Sequence, residues 1–439
     1  MARAQVKVWL ARLLERRRQL RRWRRQVILF FAVIGPGLIT ATVNQDAGGI
    51  YTYSLAGARF GYLLLWTVIP IAVALYITQE MAARLGVATG KGLADLIREE
   101  FGFRITFFLM LALLAVNLGN ILAEFAGVAA AAELFGISRY IAVPVAALLL
   151  WVLVLQGSYR AVEKVFLVGC LFYFAYVASA VLARPDWGLA AERTALPAVE
   201  WSTGYLIMVV GLVGSTLAPW QFFYLQAGVV ERAVPRGRYW ETRADVFAGS
   251  VSCGVIVFAI MVACAATLHG AGIADLRDAA DAAHALAPLA GFYAAHLFAF
   301  GLLMASLLAA SIVPLSTAYV ICEGLGVEAS LDRPFREAPI FYWLYTALIV
   351  VGAGLILLPG TPLVRIMVLS QVVNGFLLPV ILVFLMVLVN RADLMGAWRN
   401  SVGQNAVAWT TAVVMIVLTL LLVYWGLRGG EGIGLGEPG

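Results

Sequence analysis

The chain has 439 residues, of which 62% are hydrophobic and only 13% are charged. Charged residues make up about a quarter of an ordinary soluble domain, so this composition excludes a water-soluble protein and predicts a polytopic membrane protein. The formal net charge of +6 does not indicate a nucleic-acid partner, because ten of the 31 lysine and arginine residues lie within the first 25 positions.

Residues 1–27 form a basic amino-terminal segment that contains the run ERRRQLRRWRR. A basic arm beside a first apolar span is typical of a cytoplasmic segment that contacts anionic lipid headgroups. Its apolar residues roughly follow helical spacing, which fits an amphipathic helix on the membrane surface. A disordered basic tail fits the same residues equally well.

Windows of about 20 mostly apolar residues predict eleven membrane-spanning helices. They lie at residues 28–58, 62–84, 104–132, 139–157, 164–183, 204–231, 245–268, 288–322, 340–358, 364–390 and 405–427. Twenty-four of the 31 basic residues fall in segments on the side of the amino terminus, which places that terminus in the cytoplasm and the carboxyl terminus outside.

The first and the sixth of these spans are broken. In GPGLITATVNQDAGGIYTYSLAGARFGY, residues 35–62, the first span is interrupted by the polar run from Asn44 to Gly49. In GSTLAPWQ the sixth span is interrupted by Pro219, which removes a backbone donor and clashes with the preceding turn. Breaks at the same place in two consecutive five-helix units are typical of a transporter built from inverted repeats.

The predicted fold is therefore an all-α polytopic membrane protein with an inverted 5+5 helix repeat. The first repeat covers residues 28–200 and the second covers 201–392, with the first and sixth helices broken. An eleventh helix and a short extracellular carboxyl terminus occupy residues 393–439.

Asp46 is the first candidate for a functional residue. A lone carboxylate in the middle of a bilayer costs about 3 kcal/mol on insertion scales, and neither broken span offers a lysine or arginine to pair with it there. Unwound backbone at this depth also needs partners for its carbonyls. We therefore predict a cation site at the two breaks, with Asp46 facing Ser215, Thr216, Ala218 and Gln221. Hydrogen bonding back to their own helix is the alternative for the polar members of this set.

Further polar residues lie in the third and tenth spans. Gln371 and Asn374 share one helix face, where their amides either receive a hydrated cation or hold helices together. Asn117, Asn120 and Glu124 follow one another at helical spacing. The buried acid in this row indicates proton movement, a cavity-lining charge or a helix contact.

The ligand types available at the breaks indicate a hard cation. Oxygen donors that leave water on the ion suit magnesium, manganese or calcium, whereas copper, zinc and iron usually require sulfur or imidazole. The histidines lie in or beside the connection between the seventh and eighth spans, at His269, His284 and His296.

The four cysteines show no close spacing and are interpreted as free thiols. Glu80 has Arg84 one helical turn later as its expected partner.

Several motifs resemble the NRAMP family of divalent metal transporters over residues 30–425. They are GPGLITA followed by DAGG, then GYLLLW, QEMAARLGVATGKGLADLIREEFG and LSQVVNGFLLPVIL. The resemblance implies the LeuT/APC-type inverted-repeat fold. It also implies a multi-pass protein of the prokaryotic plasma membrane.

The motifs depart from the usual NRAMP pattern at both breaks. Where other members have Asp-Pro-Gly-Asn, this chain has DAGG from Asp46, so the aspartate ligand carries over and the asparagine ligand does not. Where they have Met-Pro-His, this chain has Ala218-Pro219-Trp220, and their second histidine is replaced by Leu225. Glu124 matches the acid of the third span, without its companion aspartate one turn earlier.

These departures match the NRAMP-related magnesium transporter branch. That likeness implies uncoupled transport of a partly hydrated magnesium ion, with manganese as a second substrate. We also expect no cofactor and a monomer. The ligands it implies, from side chains or backbone, are Asp46, Ala47, Gly49, Ser215, Ala218 and Gln371. The residues implied to gate or support the site are Trp220, Gln221, Asn374, Glu124 and Asn117.

Other functions remain open at this point. A proton-coupled manganese or iron importer needs a proton acceptor, for which Glu124 is the best candidate. A sodium-coupled amino-acid carrier is disfavoured because Asp46 repels a substrate carboxylate. An intramembrane enzyme is disfavoured because the sequence offers one deep aspartate and no clustered histidines. A scaffold leaves the two breaks unexplained.

Overall fold

The computed structural model describes residues 45–155, 173–274, 276, 279–328 and 335–427. Its helices are α1 (Ala47–Phe60), α2 (Val68–Thr89), α3 (Leu93–Phe101), α4 (Phe103–Leu134), α5 (Arg139–Leu155), α6 (Phe174–Leu182), α7 (Trp187–Ala195), α8 (Thr203–Thr216), α9 (Pro219–Glu231), α10 (Tyr239–Thr267), α11 (Ala279–Ala283), α12 (Ala287–Ala290), α13 (Ala294–Leu325), α14 (Pro339–Ile356), α15 (Leu363–Asn390), α16 (Ala392–Met395) and α17 (Val402–Leu427). The predicted basic segment, Asn44 and the first half of the first span lie outside these residues. No strand occurs in the part of the chain that the structure describes, as the sequence predicts.

The long helices lie where the apolar windows predict them. The bounds of α4, α14 and α15 agree within two residues with the spans predicted at 104–132, 340–358 and 364–390. With α8 and α9 counted together, eight described helical segments are long and apolar enough to cross a membrane, and α5 is a shorter apolar helix. Large apolar side chains on their outer faces are exposed, as expected of surfaces that meet lipid.

The structure corrects the sequence prediction at several boundaries. Helix α10 begins at Tyr239 instead of 245, because its charged first turns are helical but fall outside an apolar window. Helix α13 begins at Ala294 instead of 288, because Gly291 has a φ of 52° and ends the preceding turn. Helices α3 and α7 were not predicted, because each has only nine residues and carries charges.

The break in the sixth span is present where Pro219 predicts it. Helix α8 ends at Thr216, Ala218 is extended with a φ of −61° and a ψ of 134°, and α9 begins at Pro219. Proline is favoured at the first position of a helix because its missing N–H has no partner to lose there. The proline therefore starts the second half-helix and separates it from the first.

Close packing at two glycines sets α8 against α15. A Cβ on Gly214 would overlap the backbone of Gln371 and Gly375, and a Cβ on Gly375 would lie 2.6 Å from the carbonyl oxygen of Val210. Small residues let helix backbones approach closely in membranes. The half-helix before the sixth break is thus held directly against the tenth span.

A buried polar network surrounds Glu80 on α2. Its carboxylate pairs with Nη2 of Arg84 at 3.2 Å, which confirms the predicted partner. It also accepts a hydrogen bond from Nε2 of Gln404 at 3.0 Å and one from the Tyr239 hydroxyl. Arg84 in turn donates to the Trp398 carbonyl at 2.7 Å. This acid is fully partnered and anchors the last span to α2.

Candidate cation site

Asp46 lies at the break of the first span, directly before α1. Its Oδ1 accepts a hydrogen bond of 2.5 Å from the N–H of Gly49, so Asp46 is the N-cap of α1. The positive end of a helix dipole favours a negative charge at this position. Asp46 is only 3% exposed, and no lysine or arginine pairs with it among the described residues. The N–H of Gly49, a predicted ligand, serves this carboxylate as a donor.

Glu124 of α4 lies beside Asp46. Its Oε2 accepts a hydrogen bond of 3.3 Å from the N–H of Ala47, its carboxyl group contacts that of Asp46, and its Oε1 has no hydrogen-bond partner. A Cβ on Gly127 would overlap the Cβ of Ala47, so α4 approaches the start of α1 closely. Two buried carboxyl groups in contact must share a proton or bind a cation, because two bare charges repel.

Gln371 of α15 also contacts this group. Its side-chain amide contacts the Asp46 carboxyl, and a Cβ on Gly48 would overlap its amide nitrogen. Glycine at position 48 is therefore required for the tenth span to reach the first break. Gln371 and Asp46 are both buried.

Gln45 adds a further unsatisfied group at the first break. Its carbonyl accepts a hydrogen bond of 2.6 Å from the Tyr173 hydroxyl, but neither polar atom of its buried side-chain amide has a partner. An unpaired buried amide is unfavourable unless a ligand or water binds it. The break thus has more polar groups than its own contacts satisfy.

At the second break, hydroxyl groups bind to α1. The Ser215 hydroxyl donates to the hydroxyl of Tyr53 at 3.0 Å, and Thr216 Oγ1 lies 3.0 Å from the same oxygen. Tyr53, which sequence analysis missed, also lies close enough to Asp46 to interact electrostatically. The spacing of Asp46, Gly49 and Tyr53 places all three on one helix face, and this signal was available in the sequence.

The residues after the second break bind neighbouring helices. The Ala218 carbonyl accepts from the N–H of Gln221 at 3.1 Å, and the Gln221 side chain accepts from Gln79 of α2 at 3.0 Å. The Trp220 carbonyl accepts from Ser316 at 3.0 Å, whereas the buried Trp220 indole N–H has no hydrogen-bond partner. These residues support the break and orient α9.

The polar residues in the row on α4 make two different kinds of contact. Asn117 donates to Thr317 of α13 at 2.9 Å, which is a contact between helices away from the acids. Asn120 instead exchanges hydrogen bonds with Asn374 of α15, which in turn contacts Gln371. The structure therefore brings Asp46, Ala47, Glu124 and Gln371 together directly, and places Asn374 one contact away.

Soft-metal ligands are absent from this group in the described chain. No cluster of three or more His, Cys, Asp or Glu residues that could hold a metal occurs among the described residues. Cys253, Cys264 and Cys322 are buried and belong to no disulfide among the described residues, as predicted, and Cys170 lies outside these residues. The His269 ring hydrogen bonds through Nδ1 to the Ala58 carbonyl at 2.9 Å, near the far end of α1.

Comparisons with known proteins agree on one family. The family model described as Nramp, natural resistance-associated macrophage protein-like, matches residues 37–425. The chain is 31% identical over 408 residues to the divalent metal cation transporter MntH of Deinococcus radiodurans, covering 90% of each protein. It is 30% identical over 402 residues to MntH of Burkholderia ambifaria, covering 89% of this chain and 88% of the relative.

Solved structures show the same fold. The manganese transporter of Eremococcus coleocola superimposes with a TM-score of 0.72 at 21% identity, covering 91% of this chain and 88% of that one. A Na⁺-coupled sialic acid symporter superimposes with a TM-score of 0.52 at 14% identity, covering 88% of this chain and 89% of that one. The predicted LeuT-type inverted-repeat fold is thereby confirmed.

Proposed function

Because the chain belongs to the Nramp family, we propose that it carries divalent metal cations across a membrane by alternating access. Magnesium is the preferred ion, manganese is a second substrate, and no proton moves with either. Two relatives named divalent metal cation transporter and a manganese transporter of the same fold support the substrate class. The preference for magnesium rests on the oxygen and amide groups at the first break.

The observation that carries this proposal is the buried pair of Asp46 and Glu124 at the first break. Two carboxylates balance the charge of one divalent ion, and no lysine or arginine neutralises them in the described part of the chain. Desolvated carboxyl groups at bilayer depth are unfavourable without such a partner. A monovalent ion or an amino acid leaves part of this charge unbalanced.

Magnesium suits this group because every polar atom offered to an ion there is an oxygen or an amide. Magnesium binds oxygen and releases its water reluctantly, so a site that replaces only some of its water is favoured. Ala218 has no sulfur to attract a softer metal, and its small side chain leaves room for retained water. The ligands we propose are the carboxylate of Asp46 and oxygen atoms of Ala47, Gln371 and the second break.

The broken helices provide the moving part of the transporter. Helices α1, α8 and α9 end or begin at the site, so rocking them against α4, α13 and α15 exposes the ion to one side and then to the other. The charge distribution of the loops orients the protein with its amino terminus in the cytoplasm.

Proton-coupled transport is the second candidate, and one observation favours it. The contact between Glu124 and Asp46 gives a proton a place to bind when the ion leaves. The two mechanisms differ in one measurable quantity, which is the proton flux that accompanies each ion.

Uptake into proteoliposomes tests the proposal. Magnesium, manganese and calcium are supplied in turn, with and without an imposed pH gradient, while a trapped dye reports internal pH. We expect uptake of magnesium and manganese without acidification and near-complete loss in Asp46→Ala. Glu133→Gln, a change of a half-exposed acid at the far end of α4, is the matched control. Acidification that scales with uptake would establish the proton-coupled alternative instead.

A further inference from the structure

Three buried amides form a chain that ends at the candidate site. Asn120 of α4 donates to Oδ1 of Asn374 at 2.9 Å, and Asn374 donates to Oδ1 of Asn120 at 2.9 Å. The second N–H of Asn374 donates to Oε1 of Gln371 at 3.1 Å. All three side chains are fully buried, so each amide must find its partners within the protein.

This chain fixes which end of the Gln371 amide meets Asp46. The oxygen of Gln371 is bound by Asn374, and the nitrogen is therefore the end that lies against Gly48 and contacts the acid. In this arrangement Gln371 gives Asp46 an N–H donor. A donor stabilises the carboxylate when no ion is bound, but it cannot bind a cation.

Binding a hard cation requires the opposite end of the amide. If Gln371 turns its oxygen towards the ion, its nitrogen faces the nitrogen of Asn374, and two donors then meet without an acceptor. Asn374 must turn as well, and its reciprocal pairing with Asn120 requires that residue to turn too. After all three have turned, every hydrogen bond is restored in the reverse direction.

We propose that Asn120 and Asn374 are positioning residues that switch Gln371 between a donor state for the empty site and an acceptor state for the occupied site. Because Asn120 belongs to α4 and Asn374 to α15, ion binding at the first break then changes a contact between two spans. This inference rests on the proposed cation transport. In the simpler view the amides only hold α4 to α15, and the orientation of Gln371 does not change when an ion binds.

Two variants with the same added charge separate these views. In Asn374→Asp the carboxylate accepts the N–H of Gln371 and leaves the Gln371 oxygen for the ion, so the acceptor state is favoured. In Asn120→Asp the acid accepts an N–H of Asn374 whichever way that amide is turned, because the two side chains pair reciprocally. This variant therefore adds the same charge without setting the orientation of Gln371. We expect the KM for magnesium uptake to be about tenfold lower in the first variant than in the second, the effect of one hydrogen bond.

Double variants with Gln371→Leu show whether the effect passes through Gln371. The difference in KM between the two aspartate variants should vanish in this background, because no amide is left to orient. Equal KM values in the two single variants, or a difference that persists without Gln371, would overturn the proposed switch. If the wild-type protein shows no magnesium uptake that depends on Asp46, cation transport itself is refuted, which is a separate result.

If the variants do not fold, a measurement on the unaltered protein tests the proposed switch. During titration with magnesium, the side-chain amide resonances of Asn120, Asn374 and Gln371 should shift together with one midpoint. Asn117, which donates to Thr317 on the same helix as Asn120, is the internal control and should not shift. A shift of the Gln371 resonance alone would contradict the proposed switch.

Discussion

Two buried acids in this chain, Glu80 and Asp46, have opposite surroundings. Each is 3% exposed, so burial alone does not distinguish them. Glu80 binds the Arg84 guanidinium, the Tyr239 hydroxyl and the Gln404 amide, which together satisfy its charge. Asp46 has a helix N-terminus, a second acid and an amide, with no fixed positive charge among the described residues.

A buried charge gains a structural role when the protein neutralises it and a functional role when it does not. Breaking a neutralised pair leaves its partner uncompensated, which is strongly destabilising. An acid without a counter-charge instead makes the empty protein less stable, and a bound cation reverses that loss. Stability measurements with and without metal therefore distinguish the two acids.

The largest expected effect is on Glu80. Glu80→Gln removes the negative charge beside Arg84 and places an amide among donors, so we expect a loss of about 3 kcal/mol in the free energy of unfolding. Added magnesium should not restore this loss. Denaturant unfolding in detergent, followed by circular dichroism, measures the change, and equal stability to wild type would remove the contrast with Asp46.

The opposite sign is expected for Asp46. Asn at this position still caps α1 but adds no buried charge, so Asp46→Asn should raise the metal-free stability by about 1 kcal/mol. The wild type should gain about 2.7 kcal/mol at a magnesium concentration 100 times its Kd, whereas the variant should gain nothing. Thermal unfolding with and without metal checks both statements, and stabilisation of the variant by magnesium would place the ion elsewhere.

Sequence patterns predicted the spans well because span length and apolar character are local properties. The break at Pro219 was equally readable, since proline disrupts a helix wherever it lies inside one. The contact between Asp46 and Glu124 could not be predicted from residues 78 positions apart, because it depends on how α4 packs against α1. The orientation of Gln371 depends in the same way on Asn120, which a sequence can only place on a helix face.

Packing of α8 against α15 gives the third prediction. Gly375→Ala places a Cβ 2.6 Å from the Val210 carbonyl, so α8 cannot close fully on α15. We expect the maximal rate of uptake to fall about tenfold, equivalent to about 1.4 kcal/mol on the closing step, while magnesium binding is retained. Gly119→Ala on α4, where a Cβ meets nothing within 4 Å, is the matched control and should leave the rate unchanged.

A smaller effect is expected at Glu124, the acid that shares the site. Glu124→Gln can still accept the N–H of Ala47 but removes one of the two charges that balance the ion. If transport is uncoupled, uptake should fall only about threefold to tenfold, the effect of one partly screened charge, and its pH dependence should not change. Uptake rates between pH 5.5 and 8 test this, and abolition of a pH-driven component would favour proton coupling.

The smallest effect is expected at Asp95, a partly exposed acid on α3 that pairs with Arg98 at 3.2 Å. Burial raises the pKa of Asp95 above its ordinary value, although the nearby Arg98 opposes this shift. The folded protein then binds a proton at Asp95 more tightly than the unfolded chain. Its contribution to stability is full below the pKa of the unfolded chain and is lost as pH rises through the higher pKa of the folded state. Asp95→Asn should reduce the dependence of the unfolding midpoint on pH, measured from pH 3 to 6. An unchanged dependence would mean that other acids cause it.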